Sequence, residues 1–123
     1  MEPLQITDVT DRDFSTKTQL DGSVITTQMR GNWDMKAVTP LDEFTRNLQA
    51  RAEQMKVERV IVELGEVEFM NSSCLKSFAR WLASLAKKEQ HGYAVTFRTG
   101  LPWQRRSLEA LKALASDKIT IES

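Results

Sequence analysis

A chain of 123 residues, 41% of them apolar, has material for one core and no need of a second. Seventeen Lys and Arg balance seventeen Asp and Glu, so it lacks the excess positive charge by which dedicated nucleic-acid binders neutralise phosphates. A single cysteine, Cys74, excludes an internal disulfide, and one His with one Cys cannot supply the usual zinc ligands.

No apolar run approaches the length that spans a membrane, and Met1 to Gln5 lacks the basic and apolar regions of a signal peptide, so a cytoplasmic location is expected. Phosphate-binding glycine loops are absent, and no nucleophile stands with a base. The expectation is a protein that is not an enzyme, with no catalytic residues, no cofactor and no metal site.

Residues 1–13 read as an N-terminal extension in which Leu4-Gln5-Ile6 suits a short edge strand; residues 14–123 read as one domain. From Phe14 to Leu20 and from Val24 to Met29, β-forming residues flank Asp21-Gly22, a strong hairpin signal, and Gly31 is expected to end the second strand. Thr39-Pro40-Leu41-Asp42 has the form of a helix start, with Thr as cap and Pro in the first turn. Val38, Leu41, Phe44, Leu48 and Met55 then recur at helical spacing.

Arg59 to Leu64 is almost wholly apolar and β-branched, as in a central strand buried on both faces. A short loop over the top of the sheet is expected next, then a helix striped by Leu75, Phe78, Leu82 and Leu85 that ends near His91-Gly92. Tyr93 to Phe97 is a strand. Leu101-Pro102 opens a helix carrying Leu108, Leu111 and Leu114, and Lys118 to Ile121 closes the chain as a strand. Strands alternating with helices imply an α/β fold, a mixed sheet joined by right-handed crossovers.

The stretch Glu63-Leu64, then Phe69-Met70-Asn71-Ser72-Ser73-Cys74-Leu75, sets two hydroxyls at a helix start beside the carboxyl edge of the sheet, where open α/β sheets place their sites. Ser72 and Ser73 suit helix capping first, and can also accommodate a phosphoryl group held by the helix's unpaired N–H groups; the two roles are compatible. A phosphate there adds a charge of roughly −1.5 to −2 to a neutral surface.

These residues resemble the signature of STAS domains, the anti-sigma factor antagonist family, whose members read hydrophobic strand, acid or Asn, Leu, then Phe-(Met or Ile)-Asp-Ser-Ser-Gly-Leu. Met29-Arg30-Gly31-Asn32-Trp33-Asp34 resembles the family's Gly-x-(Leu or Ile)-Asp, and the likeness covers about residues 14 to 121. Asn71 stands at the family's Asp and Cys74 at its Gly. Asn-Ser-Ser-Cys-Leu, together with Trp103-Gln104-Arg105-Arg106-Ser107-Leu108, is similar to a divergent bacterial subgroup.

The resemblance implies the STAS fold, a mixed β-sheet of four to six strands with helices packed on one face. It implies a non-enzymatic regulator that binds an anti-sigma factor or serine kinase, with Ser72 as the phosphorylated residue and Ser73 as its hydroxyl neighbour. Asn71, Ser72, Ser73, Cys74, Asp34, Trp103 and Arg105 are the expected partner-binding residues. Neither nucleic acid nor membrane insertion is expected, and the chain would be a monomer or weak dimer. The alternative, favoured by Asn71 and Cys74, is a constitutive STAS subunit of a transport ATPase or stress-sensing complex without a phospho-switch.

Bland roles stand beside several of these. Cys74 fills a small site or, near a helix N-terminus, is reactive. Trp33, Trp81 and Trp103 are expected to pack at the core or its edge, with Trp103 the best candidate for a surface cluster. Arg105-Arg106 and Lys87-Lys88-Glu89 are expected to be solvated. His91 belongs to a helix-ending turn, and Asp34 is expected to bond the local backbone.

Overall fold

The structure, a computed structural model, describes residues 6–87, 92–113 and 118–122. Strands β1 (Phe14–Asp21) and β2 (Val24–Trp33) form the expected hairpin, with Asp21 facing Val24 across Gly22-Ser23. Helix α1 (Val38–Gln54), strand β3 (Arg59–Met70), helix α2 (Ser72–Ala86), strand β4 (Ala94–Arg98), helix α3 (Pro102–Lys112) and strand β5 (Ile119–Glu122) follow in the expected order.

The strands lie in the order β1-β2-β3-β4-β5, with β1 antiparallel to β2 and every later pair parallel. From β2 onward the chain steps across the sheet in one direction. Right-handed crossovers then put α1, α2 and α3 on the same face, which fixes the one-sided architecture. Phe14, Ile25, Met29, Val60, Val62, Val95 and Phe97 point under the helices and are buried. Alternate residues such as Lys17, Gln28 and Arg98 are exposed on the open face.

Aromatic side chains fill the centre. Phe97 meets Phe78 at 5.5 Å and Trp81 at 6.5 Å between ring centroids, both edge-on. The Trp81 indole N–H donates to the Tyr93 hydroxyl at 2.7 Å, and that of Trp33 to the Arg30 carbonyl at 3.0 Å, so neither tryptophan buries an unpaired donor. Between α1 and α2, the Asp42 carboxylate accepts from Arg80 at 2.7 Å and from Arg46 at 2.8 Å. The Arg80 bond is the main reason the Asp42 carboxyl is held below its ordinary range.

Several expectations are corrected. Strand β2 does not end at Gly31: it continues to Trp33, with a register slip there that places an extra residue in β3. Helix α1 begins at Val38, so Thr39 lies inside the first turn; Asp34 caps a single 3-10 turn, Met35–Ala37, that leads into it. Met55 is exposed and Ala52 takes its place on the buried stripe. Strand β3 is buried on one face only, since Ile61 and Glu63 on the open face are half-exposed. The expected loop after Leu64 is also strand. Leu4 and Gln5, Lys88 and Glu89, His91 and Leu114 lie outside the described residues.

Candidate functional site

The long β3 changes how the signature residues are presented. Two register slips against β2, between Gln28 and Arg30 and between Gly31 and Asn32, insert extra β3 residues near Gly65 and at Glu68. The strand therefore bends while staying paired to Met70, and one residue, Asn71, joins it to α2. That junction is pinned: the Asn71 N–H donates to the Trp33 carbonyl at 2.8 Å, and the Asn71 carbonyl accepts from Cys74 and Leu75 at 3.0 and 3.2 Å.

Asn71, not either serine, caps α2. Its backbone is extended, and its Oδ1 accepts the Ser73 N–H at 2.7 Å. Ser72, the first helical residue, is exposed, and Ser73 is half-buried; among the described residues neither hydroxyl makes a hydrogen bond. Asn71 takes up the N–H groups of Ser73, Cys74 and Leu75, so what the α2 N-terminus offers beside Ser72 is the Ser72 N–H and the positive end of the helix dipole. Lys76, one turn further along, is exposed.

Cys74 is a second correction, because the sequence placed it among residues facing the partner. It is fully buried, its Sγ lying 3.6 Å from the Trp33 carbonyl and 3.7 Å from that of Asp34. Burial, reinforced by the nearby Asp34 charge, pushes the thiol up to about 11, the opposite of an activated thiolate. Unfolding restores its ordinary value of 9.0, so the unfolded chain loses the proton first and stability falls as pH rises from about 9 to about 11. Tyr93, pushed up by burial to about 12, acts in the same direction. Urea midpoints measured at about pH 8 and about pH 10.5 should therefore differ, with the higher pH less stable, and Cys74→Ala should reduce the difference. An undiminished difference in that variant would remove Cys74 from the explanation.

The other expected site residues divide. Asp34 accepts the Lys36 N–H at 3.1 Å, the local backbone role anticipated for it, and lies next to Cys74 at the α2 start. Trp103 is half-buried and lines a narrow apolar slot with Met70 and Leu75, one turn after Ser72. Arg105 is exposed on α3 and faces Glu109 at 3.7 Å. Trp33 and Trp81 are buried in the core.

The sequence reading missed two features. Met35, Phe69 and Leu101 are 65%, 50% and 39% exposed, and all three sit at the carboxyl ends of β2, β3 and β4, beside Ser72's end of the sheet. Gln104 is buried beneath this edge. Its side-chain amide donates to the carbonyls of Leu64 at 2.8 Å and Val67 at 2.7 Å, while its oxygen accepts from the Gly100 and Leu101 N–H groups at 2.8 and 3.3 Å. A Gln three residues after the residue that precedes a helix is one half of a capping-box signature, and that signal was present.

The fold so assembled is that of the anti-sigma factor antagonists, the STAS fold, with a five-stranded mixed sheet and its helices on one face. An anti-sigma factor antagonist from Mycobacterium paratuberculosis superposes with a TM-score of 0.59 at 17% identity, over 89% of this chain and 85% of that one. The anti-sigma factor antagonist SpoIIAA in its unphosphorylated form gives 0.59 at 14% identity, covering 88% of this chain and 87% of its own. The Bacillus cell fate determinant SpoIIAA in its phosphorylated form gives 0.56 at 15%, covering 88% and 91%. No protein-family model matches the sequence, and no curated protein does. Among the described residues no helix is long and apolar enough to cross a membrane.

Proposed function

We propose that the chain is a bacterial, cytoplasmic signalling regulator that docks a partner protein through residues 69–75, and that phosphorylation of Ser72 breaks this docking. The observation that carries the reading is the division of labour at the α2 start. Asn71 performs the capping, which leaves the Ser72 hydroxyl exposed and unbonded on an edge that also exposes Phe69, Met35 and Leu101. Exposed apolar side chains at this end of the sheet would suit the surface of a protein partner. A phosphoryl group added among them must stay hydrated, so the partner can no longer dry the contact. No catalysis is asked of the chain itself.

The likeness in fold to anti-sigma factor antagonists supports an anti-sigma factor or serine kinase as the first candidate partner. The alternative, a constitutive subunit of a transport ATPase or stress-sensing complex, drew support from Asn71 and Cys74. The second of these no longer counts, because the Cys74 side chain is buried. Binding to a serine-kinase partner co-purified from the native host separates the two. Ser72→Asp should weaken binding at least about tenfold while Ser72→Ala leaves it within about twofold. Equal binding by both variants would favour the constitutive subunit.

A further inference from the structure

Strand β1 is an edge of the sheet, eight residues long, and an edge of that length is a template for another strand. In the hairpin register, Asp21 pairs with Val24, so the backbone groups of Thr16, Thr18 and Leu20 point away from β2. Residues 8–13 occupy part of this row. Thr16 N–H donates to the Val9 carbonyl at 2.9 Å, Thr10 bridges Ser15 in antiparallel fashion, and Asp11 N–H donates to the Phe14 carbonyl at 3.1 Å.

Asp8 stands in for a backbone carbonyl. Its carboxylate accepts from the Thr18 N–H at 3.3 Å and from the Thr16 and Thr18 hydroxyls at 2.9 and 2.7 Å. At the far end Lys36 pairs with Asp13, and with Asp11 at 3.8 Å. This arm is held mainly by polar contacts: none of residues 6–13 is fully buried, Ile6 and Val9 alone pack half-buried against the core, and a cavity of about 270 Å³ remains between the arm and Pro40, Phe44 and Asn47 of α1. Segments with few buried apolar contacts open first. Among the described residues, the outward N–H and carbonyl of Leu20 have no partner.

We propose that residues 8–13 form a releasable guard over the β1 edge, and that the uncovered edge pairs with β1 of a second copy of this chain. A two-fold axis at Thr18 sets Thr18 against Thr18 of the other copy, Thr16 against Leu20, Lys17 against Gln19 and Ser15 against Asp21. Every outward N–H from Thr16 to Leu20 then meets a carbonyl, and no like charges face each other. That self-complementarity is what an isologous contact requires. The arm itself shows that this edge accepts an antiparallel segment.

The full-length chain and its Asp8→Ala/Lys36→Ala variant, compared by sedimentation velocity from about 10 to about 500 μM and by amide hydrogen exchange, test this. The unaltered chain should stay monomeric. At about 10 μM, below its self-association, the variant should lose about tenfold or more of the protection at Thr16 and Thr18 while Ile25 and Val60 keep theirs; toward about 500 μM it should dimerise and regain that protection. Adding Thr18→Pro, tolerated at an outward edge position, should return it to monomer. If the double variant unfolds, Asp8→Asn should give the same order of effects in smaller measure. A variant that loses this protection yet stays monomeric up to about 500 μM overturns the proposal, as does protection unchanged at about 10 μM or a dimer that survives Thr18→Pro.

Discussion

Gln104→Leu is expected to destabilise the fold by about 3 kcal/mol, although the two side chains are similar in size. Gln104 is 1% exposed, and all of its hydrogen-bonding capacity is used. It reaches the carbonyls of Leu64 and Val67, which flank the first β3 bulge, and it holds the N–H groups of Gly100 and Leu101 at the start of α3. Leucine would fill the space and leave the buried Leu64 and Val67 carbonyls dry and unpaired, at about 1 kcal/mol or more each, and would release the Gly100 and Leu101 N–H groups at the start of α3. Chemical denaturation reads the result directly. A loss below about 1 kcal/mol would mean that water replaces the amide and that the bulge does not depend on it.

Gly31→Ala should cost about as much for a different reason, roughly 3 kcal/mol or more. Gly31 has φ of 100°, a region that side chains strain to enter, and a Cβ there would lie 2.1 Å from the Asp13 carbonyl oxygen. That oxygen accepts the Asn32 N–H at 2.7 Å, so relieving the clash pulls apart the contact between residue 13 and the end of β2. Gly22→Ala is the control. Gly22 also has positive φ, at 63°, but nothing stands within 4 Å of its added Cβ, so a loss of about 1 kcal/mol is expected. Equal losses at the two glycines would assign the effect to φ alone and discard the steric part.

The element order was legible because its signals are local. Alternation from Phe14 to Met29 and apolar spacing along α1 and α2 are written in neighbouring residues. What failed needed a partner in space. Gly65-Glu66-Val67-Glu68 reads as loop because a glycine and two acids interrupt the apolar run; only pairing with Arg30, Gly31 and Asn32 makes it strand, with Val67 turned inward. Asn71-Ser72-Ser73 offers three capping residues in a row, and sequence cannot choose among them. The Asn71 N–H bond to Trp33 makes the choice, since it fixes where β3 ends.

The α2 stripe was right at Phe78, Leu82 and Leu85 but too narrow. Reading from Leu75 left Cys74 on the surface, whereas Cys74, Ser77, Phe78, Trp81, Leu82 and Leu85 form the buried face. Trp81 lay within that pattern and could have corrected it. At the candidate site, the motif placed Ser72 and Ser73 at a helix start, and the structure has them in the first turn of α2. The motif could not show that Phe69 points outward, because an aromatic residue in a strand is more often core.

Peptide mapping of residues 59–80 in protein purified from its native host, with intact mass measured beside it in several growth states, tests the proposed switch most directly. A phosphate on Ser72 in part of the population, varying with growth state, is the result expected from the exposed, uncapped hydroxyl. A segment unmodified in every state, or a phosphate confined to Ser73, would contradict Ser72 as the switch.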